Sequence, residues 1–104
     1  MTTALSLVLQ ERPDGTRLLA ASGEIDISNA ADLAKALEGA LEGAPEGSNG
    51  RVTLDLTAVD YLDSAGIAVL FDHADHLELA ATPLLMPVLT VSGLGDLAPI
   101  RESD

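Results

Sequence analysis

The chain has no cysteine and no tryptophan, and its only aromatic residues are Tyr61 and Phe71. The missing cysteine removes disulfides, thiolate catalysis and cysteine-ligated metals, and is compatible with a reducing cytoplasm. The shortage of aromatics leaves no platform for stacking bases. Basic residues are also scarce. Five Lys and Arg stand against 17 Asp and Glu, for a net charge of −12. That balance argues against a nucleic-acid backbone or an anionic membrane as partner; it favours a soluble protein, with solubility alone as the first reading of the charge and a basic partner surface as the alternative. No apolar run is long enough to span a bilayer. Met1 to Ser6 lacks the basic stretch and apolar run of a signal peptide, so a cytoplasmic protein without membrane insertion is expected. What remains is a single aliphatic core of Leu, Ala, Val and Ile, and 104 residues suit one domain over 1–104.

Two segments near the N-terminus read as strands. Leu5, Leu7 and Leu9 alternate with Ser6, Val8 and Gln10, and Arg17 to Ser22 follows after Pro13-Asp14-Gly15, so the pair reads as an antiparallel hairpin. Gly23-Glu24-Ile25-Asp26-Ile27 leads out of it. Ser28 is the expected N-cap of a helix over about 29–42, with Asp32 near its positive end and Leu33, Ala36, Leu37, Ala40 and Leu41 at helical spacing. Residues 43–50 have loop composition.

Val52, Leu54 and Leu56 alternate with Thr53, Asp55 and Thr57. This strand precedes a helix, so it is expected to be central and parallel to a neighbour. Asp63-Ser64-Ala65-Gly66 marks the strand-to-helix junction, with Ser64 as the expected cap at the helix N-terminus, where backbone N–H groups favour an anion. Ile67, Leu70, Phe71 and Ala74 give the next helix its apolar face. From Leu77 two readings compete. Leu77 and Ala81 continue the helical stripe, whereas Leu77-Glu78-Leu79 alternates as a strand; the strand over 77–81 completes a strand–helix–strand unit through a tight connection. Thr82-Pro83 resembles a cap and first helical residue, Pro87 starts or bends the helix, Gly93 stops it, and Leu97 to Ile100 forms a short edge segment before a loose polar end.

Catalytic and metal constellations are missing. His73 and His76, beside Asp72 and Asp75, read as a solvated helix face. Asp55 on a strand and Asp60 in a loop imply no pocket for acid–base work, and the glycines at 39, 43, 47 and 50 lack the context of a phosphate loop. A non-enzymatic protein without metal or cofactor is expected.

The order of hairpin, Gly23-Glu24-Ile25-Asp26, helix, strand, Asp63-Ser64-Ala65-Gly66 and helix resembles the STAS domain of bacterial anti-sigma factor antagonists. Leu54 to Gly66 carries most of the resemblance, and Val88 to Leu94 adds to it. The resemblance implies an α/β (mixed α+β) fold: a curved mixed sheet of four to five strands with helices packed mainly on one face. The segment between Gly66 and Val88 is shorter than in the family, so the second helix, the strand after it, or both must be trimmed.

The resemblance also implies a function without catalysis. Such proteins bind a serine kinase that sequesters a sigma factor. Phosphorylation of the motif serine releases them, and a phosphatase resets them. By correspondence Ser64 is the phosphorylation site. Asp26, Ser28, Asp63, Ser64, Ala65, Gly66 and Ile67 form the expected partner surface, with Ala65 and Gly66 keeping the approach open. Two other classes stay open: a STAS domain that serves assembly alone, in a signalling complex or as the small subunit of a lipid transporter, and an acyl carrier whose serine holds phosphopantetheine. The carrier predicts an all-helical domain.

Overall fold

The computed structural model describes residues 4–13, 16–42 and 52–103. The tip of the Pro13-Asp14-Gly15 turn and the loop expected over 43–50 lie outside the described residues. Elements follow in the order β1 (Ser6–Glu11), β2 (Arg17–Ile25), α1 (Ala30–Glu42), β3 (Val52–Leu62), α2 (Ser64–Asp72), β4 (Leu77–Ala81), α3 (Met86–Val91) and β5 (Ile100–Glu102). The five strands form one mixed sheet in the order β1-β2-β3-β4-β5. β1 pairs antiparallel with β2, and the remaining pairs are parallel. This sheet rules out the all-helical carrier.

Alternation decides which face is covered. Leu19, Ala21, Gly23 and Ile25 of β2, Val52, Leu54 and Leu56 of β3, and Leu77, Leu79 and Ala81 of β4 are buried, while the residues between them are only partly covered. Leu33 and Leu37 of α1, Leu70 of α2 and Leu89 of α3 complete the same cluster. Burying each leucine stabilises the fold by about 1.5–3 kcal/mol, so this aliphatic layer outweighs every polar contact described below. Arg17 ties the hairpin to the end of α1: its guanidinium donates to the Ala40 carbonyl at 3.1 Å and pairs with Glu11.

Several expectations needed correction. β3 does not stop near Thr57 but continues to Leu62, so Asp60 lies in a strand and not in a loop. The alternation that would have revealed this is broken by two register shifts against β2, one between Ala20 and Ser22 and one between Gly23 and Glu24. Each inserts one extra β3 residue and re-aims the chain. Asp55 braces the first shift, its Oδ1 accepting from the Thr57 N–H at 2.9 Å and the Thr57 hydroxyl at 2.6 Å. Gly23 sits at the second with φ +99, a backbone state that penalises side chains. That is the physical content of the glycine in Gly23-Glu24-Ile25-Asp26.

The strand reading of 77–81 holds. The tight connection is made by a nine-residue α2 and a single 3₁₀ turn, Ala74–His76. α3 starts at Met86 with Pro87 in its first turn, where a missing N–H costs nothing. The edge strand is shifted towards the chain end: Ile100–Glu102 pairs with Leu79 to Ala81, which orders part of the polar segment expected to be loose.

Candidate functional site

Two strand-to-helix corners stand side by side at the carboxyl ends of β2 and β3. The pairs Glu24↔Tyr61 and Ile25↔Leu62 bring them together, and the Asp63 N–H donates to the Ile25 carbonyl at 3.2 Å. Each corner is capped by an aspartate, not by the serine expected to do so.

At the first corner, Asp26 does the work assigned to Ser28. Its carbonyl accepts from the Asn29 N–H at 3.1 Å and the Ala30 N–H at 2.9 Å, and its Oδ1 accepts from the Ser28 N–H at 2.9 Å and from the Ser28 hydroxyl. Ser28 is therefore a donor to the cap, since an aspartate two residues ahead outcompetes it for the free amide. Asn29 closes the loop from the other side: its Oδ1 accepts from the Asp26 N–H at 2.9 Å and its Nδ2 donates to the Glu24 carbonyl at 2.8 Å. The hydroxyl of Ser28, and then its N–H, hold the Asp26 carboxyl below its ordinary value of 3.8. A lowered carboxyl favours the folded loop above the unfolded value, and that contribution is lost as pH falls through the folded value. In Ser28→Ala the Asp26 midpoint is therefore expected to rise back towards 3.8, measured by carboxyl-detected NMR titration. An unchanged midpoint would remove the Ser28 hydroxyl as its cause.

At the second corner Asp63 is the N-cap of α2 and Ser64 is its first helical residue. Asp63 is extended (φ −97, ψ −175), and its Oδ1 accepts from the Ala65 N–H at 2.9 Å and the Gly66 N–H at 3.2 Å. The capping role expected of Ser64 thus falls to Asp63, which leaves the Ser64 side chain exposed, its hydroxyl without a hydrogen bond among the described residues. Ala65 and Ile67 are half-buried, and Ile67 packs against the core. Gly66 is buried. A Cβ there would lie 2.6 Å from both Ile25 Cγ2 and Leu62 Cδ1. Its missing side chain serves close packing of α2 on β2 and β3, and not an open approach for a partner.

The expected surface thus divides. Asp26, Ser28, Asp63 and Ser64 lie at or near the surface, and Ala65 and Ile67 are intermediate. Gly66 is inside. Three residues were missed. Asn29 brackets the Asp26 loop, and the Asp-x-Ser-Asn spacing is the signal that identifies such a turn. Ile27, 84% exposed between Asp26 and Ser28, and Tyr61, 50% exposed on β3, add apolar area beside the corners. Nothing in hydrophobic patterning separates such residues from core positions.

His73 Nδ1 lies 2.9 Å from the Val69 carbonyl, so this histidine closes the end of α2. Among the described residues no three His, Cys, Asp or Glu side chains gather as metal ligands, and no helix is long and apolar enough to cross a membrane.

No curated protein matches the chain. Among solved structures, an anti-sigma factor antagonist from Mycobacterium paratuberculosis has a TM-score of 0.82 at 23% identity, over 94% of this chain and 86% of its own. The anti-sigma factor antagonist SpoIIAA in its unphosphorylated form gives 0.72 at 17% identity, over 95% and 89%. An antisigma-factor antagonist STAS domain from Rhodobacter sphaeroides gives 0.52 at 18%, over 94% and 84%. At these identities the likeness is one of fold. Residues 8–99 match the sequence family described as "Mlab, STAS domain", nearly the whole length from β1 to the approach to β5. With the five-stranded mixed sheet and the Asp63-Ser64-Ala65-Gly66 corner in place, the chain belongs to the STAS-domain family.

Proposed function

We propose that this protein is an anti-sigma factor antagonist. Unphosphorylated, it binds a serine kinase that holds a sigma factor, and so frees the sigma factor. Phosphorylation of Ser64 ends the binding, and a phosphatase restores it. The observation that carries the reading is the Ser64 hydroxyl: exposed, free of hydrogen bonds among the described residues, and on a backbone fixed by the Asp63 cap. A kinase needs a hydroxyl that can reach a nucleotide γ-phosphate in line, with its own loop entering the cleft. The protein itself supplies no catalytic group; ATP is used by the partner.

The cap also sets what a phosphate would meet. The amides of Ala65 and Gly66, which would otherwise take an anion at a helix start, are already committed to Asp63. A phosphate on Ser64 adds about −1.5 to −2 charges beside Asp63. Its oxygens are left facing the partner.

A second reading is favoured by the same corner and by the match to the Mlab STAS family: docking without a phosphate switch, as an assembly subunit. Incubation with sigma-binding serine kinases and ATP, followed by phosphosite mapping, separates the two. The switch predicts phosphate on Ser64, none on Ser64→Ala, and retained kinase binding by Ser64→Ala. Kinase binding with Ser64 left unmodified would leave the assembly reading.

A further inference from the structure

The edge of a sheet offers an unpaired row of N–H and C=O groups to any other strand, so edge strands are ordinarily short, charged or broken by proline. β5 follows that rule. It is three residues long, Arg101 and Glu102 are exposed on it, and Pro99 precedes it. β1, at the opposite edge, does not. It runs for six residues without proline, carries no charge before Glu11, and pairs with β2 without a bulge. Glu11 itself is engaged by Arg17. Among the described residues nothing pairs with the outer side of β1. Val8, 51% exposed, and Leu9, 45% exposed, lie on opposite faces: Leu9 is paired with Leu19 of the core, Val8 with Ala20. A helix laid on either face would cover one of them, whereas an added strand flanks both.

The hydrogen-bond phase of this edge is fixed. The Arg12 N–H donates to the Thr16 carbonyl at 2.8 Å, continuing the β1–β2 register. Backbone groups alternate sides along a strand, so those of Ser6, Val8 and Gln10 also face β2, while Leu5, Leu7, Leu9 and Glu11 turn theirs outward. Two antiparallel copies of β1 can join only if outward residues meet outward residues on the same face of the sheet. Centring the pair on Val8 meets both conditions. Leu7 then exchanges hydrogen bonds with the second copy's Leu9, and Val8 lies opposite Val8. The leucines gather on the helix-covered face. Like charges do not meet: Glu11 falls across from Leu5, and Arg12 from Ala4.

We infer that β1 pairs antiparallel with β1 of a second copy of this chain, about a two-fold axis at Val8, joining two five-stranded sheets into one. The occupant is a second copy because the strand complements itself in backbone phase, in face and in charge. The net charge of −12 opposes association, but it lies off the seam, since residues 4–10 carry none of it. At physiological salt exposed charges are screened beyond about 8 Å. A six-residue seam is also far smaller than the roughly 20–30 residues a side of a stable interface, so the dimer forms and dissociates with concentration. β2 stands between β1 and β3, which keeps this edge apart from the Ser64 corner. The inference therefore does not rest on the phosphorylation switch.

The test uses the full chain and its lack of cysteine. Antiparallel residues that face each other without exchanging hydrogen bonds have Cα atoms about 4.5 Å apart, within the reach of a disulfide. Val8→Cys should therefore cross-link to a covalent dimer under mild oxidation. Gln10→Cys should do so at least about tenfold more slowly, because Gln10 faces Ser6 and lies about 13 Å along the seam from its own counterpart. Sedimentation velocity of the unaltered chain is expected to show a monomer–dimer equilibrium that moves towards dimer with concentration and as salt screens the net charge. Val8→Lys sets two ammonium groups opposite each other and should weaken dimerisation about tenfold or more. Circular dichroism of each variant confirms that the fold persists. A chain that stays monomeric at every concentration and salt overturns the inference, and leaves the edge to a strand from another protein. Equal cross-linking of the two cysteine variants, or a dimer indifferent to Val8→Lys, overturns it too.

Discussion

Ser64→Asp is expected to lower affinity for a cognate sigma-binding serine kinase by roughly 30- to several-thousand-fold, while Ser64→Ala binds as the parent does. The magnitude follows from where the added charge can go. An acid in the first turn of a helix is ordinarily stabilised by about 0.3–1 kcal/mol. Here Asp63 already occupies the amides of Ala65 and Gly66, and the Asp26 carboxyl, held ionised by Ser28, stands on the adjoining corner. The new carboxylate gains little within the chain and must be desolvated against a surface that fits a hydroxyl. Mismatches of this kind cost about 2–5 kcal/mol, and each 1.4 kcal/mol is a factor of ten. Ser64 is exposed, so the fold itself should change by no more than about 0.5 kcal/mol. Calorimetric titration of kinase into each variant, with thermal melts alongside, reads both quantities. Equal affinities for the parent and both variants would sink the switch; a collapsed melt in Ser64→Asp would point to misfolding instead.

Much of this arrangement was legible in the sequence because β3 alternates strictly from Val52 to Thr57 and α1 keeps a stripe of leucines. The STAS resemblance then supplied a mixed sheet with helices mainly on one face, which no periodicity can; the order of strands came from the structure. The parts that were not legible share one cause: local hydrogen bonding and close packing leave no trace in hydrophobic patterning. Residues 58–62 read as a loop because two register shifts put Ala58, Asp60 and Tyr61 outside and Val59 and Leu62 inside, a pattern with no period of two. Ser28 and Ser64 were each credited with a cap that an aspartate one or two residues earlier provides. The side chains are equivalent candidates on paper, and the backbone geometry chooses between them. Asp63 is extended with ψ near 180°, which aims its carboxylate at the amides two and three residues ahead. With the cap elsewhere, the Ser64 hydroxyl is left unengaged, and that is what makes the site chemically available.

Gly66 is the residue whose reading changed most, and its substitution should have the largest effect on stability. In a helix, Gly→Ala ordinarily gains about 0.8–1 kcal/mol. At Gly66 the new Cβ would sit 2.6 Å from Ile25 Cγ2 and 2.6 Å from Leu62 Cδ1, distances that real Cβ atoms do not show. Both partners belong to the buried core, Ile25 fully so, and neither can swing into solvent. Overpacking of this kind costs about 1–3 kcal/mol and exceeds the helical gain. Gly66→Ala should therefore be less stable than the parent by about 1–2 kcal/mol, and Gly66→Val, with two further methyls and a weaker helical gain, by about 3 kcal/mol or more. At about 4–8 °C per kcal/mol for a domain near this size, both shifts are measurable in a thermal melt. Shortening Leu62 tests the cause. Gly66→Ala combined with Leu62→Ala should be more stable than the sum of the single changes predicts, by about 0.5–3 kcal/mol, because the new methyl enters the space that Leu62 leaves. Strict additivity, or a Gly66→Ala protein as stable as the parent, would refute the close approach. If the coupling is found, this glycine seats α2 against the ends of β2 and β3, and so sets the angle at which Asp63 caps the helix and Ser64 faces outward.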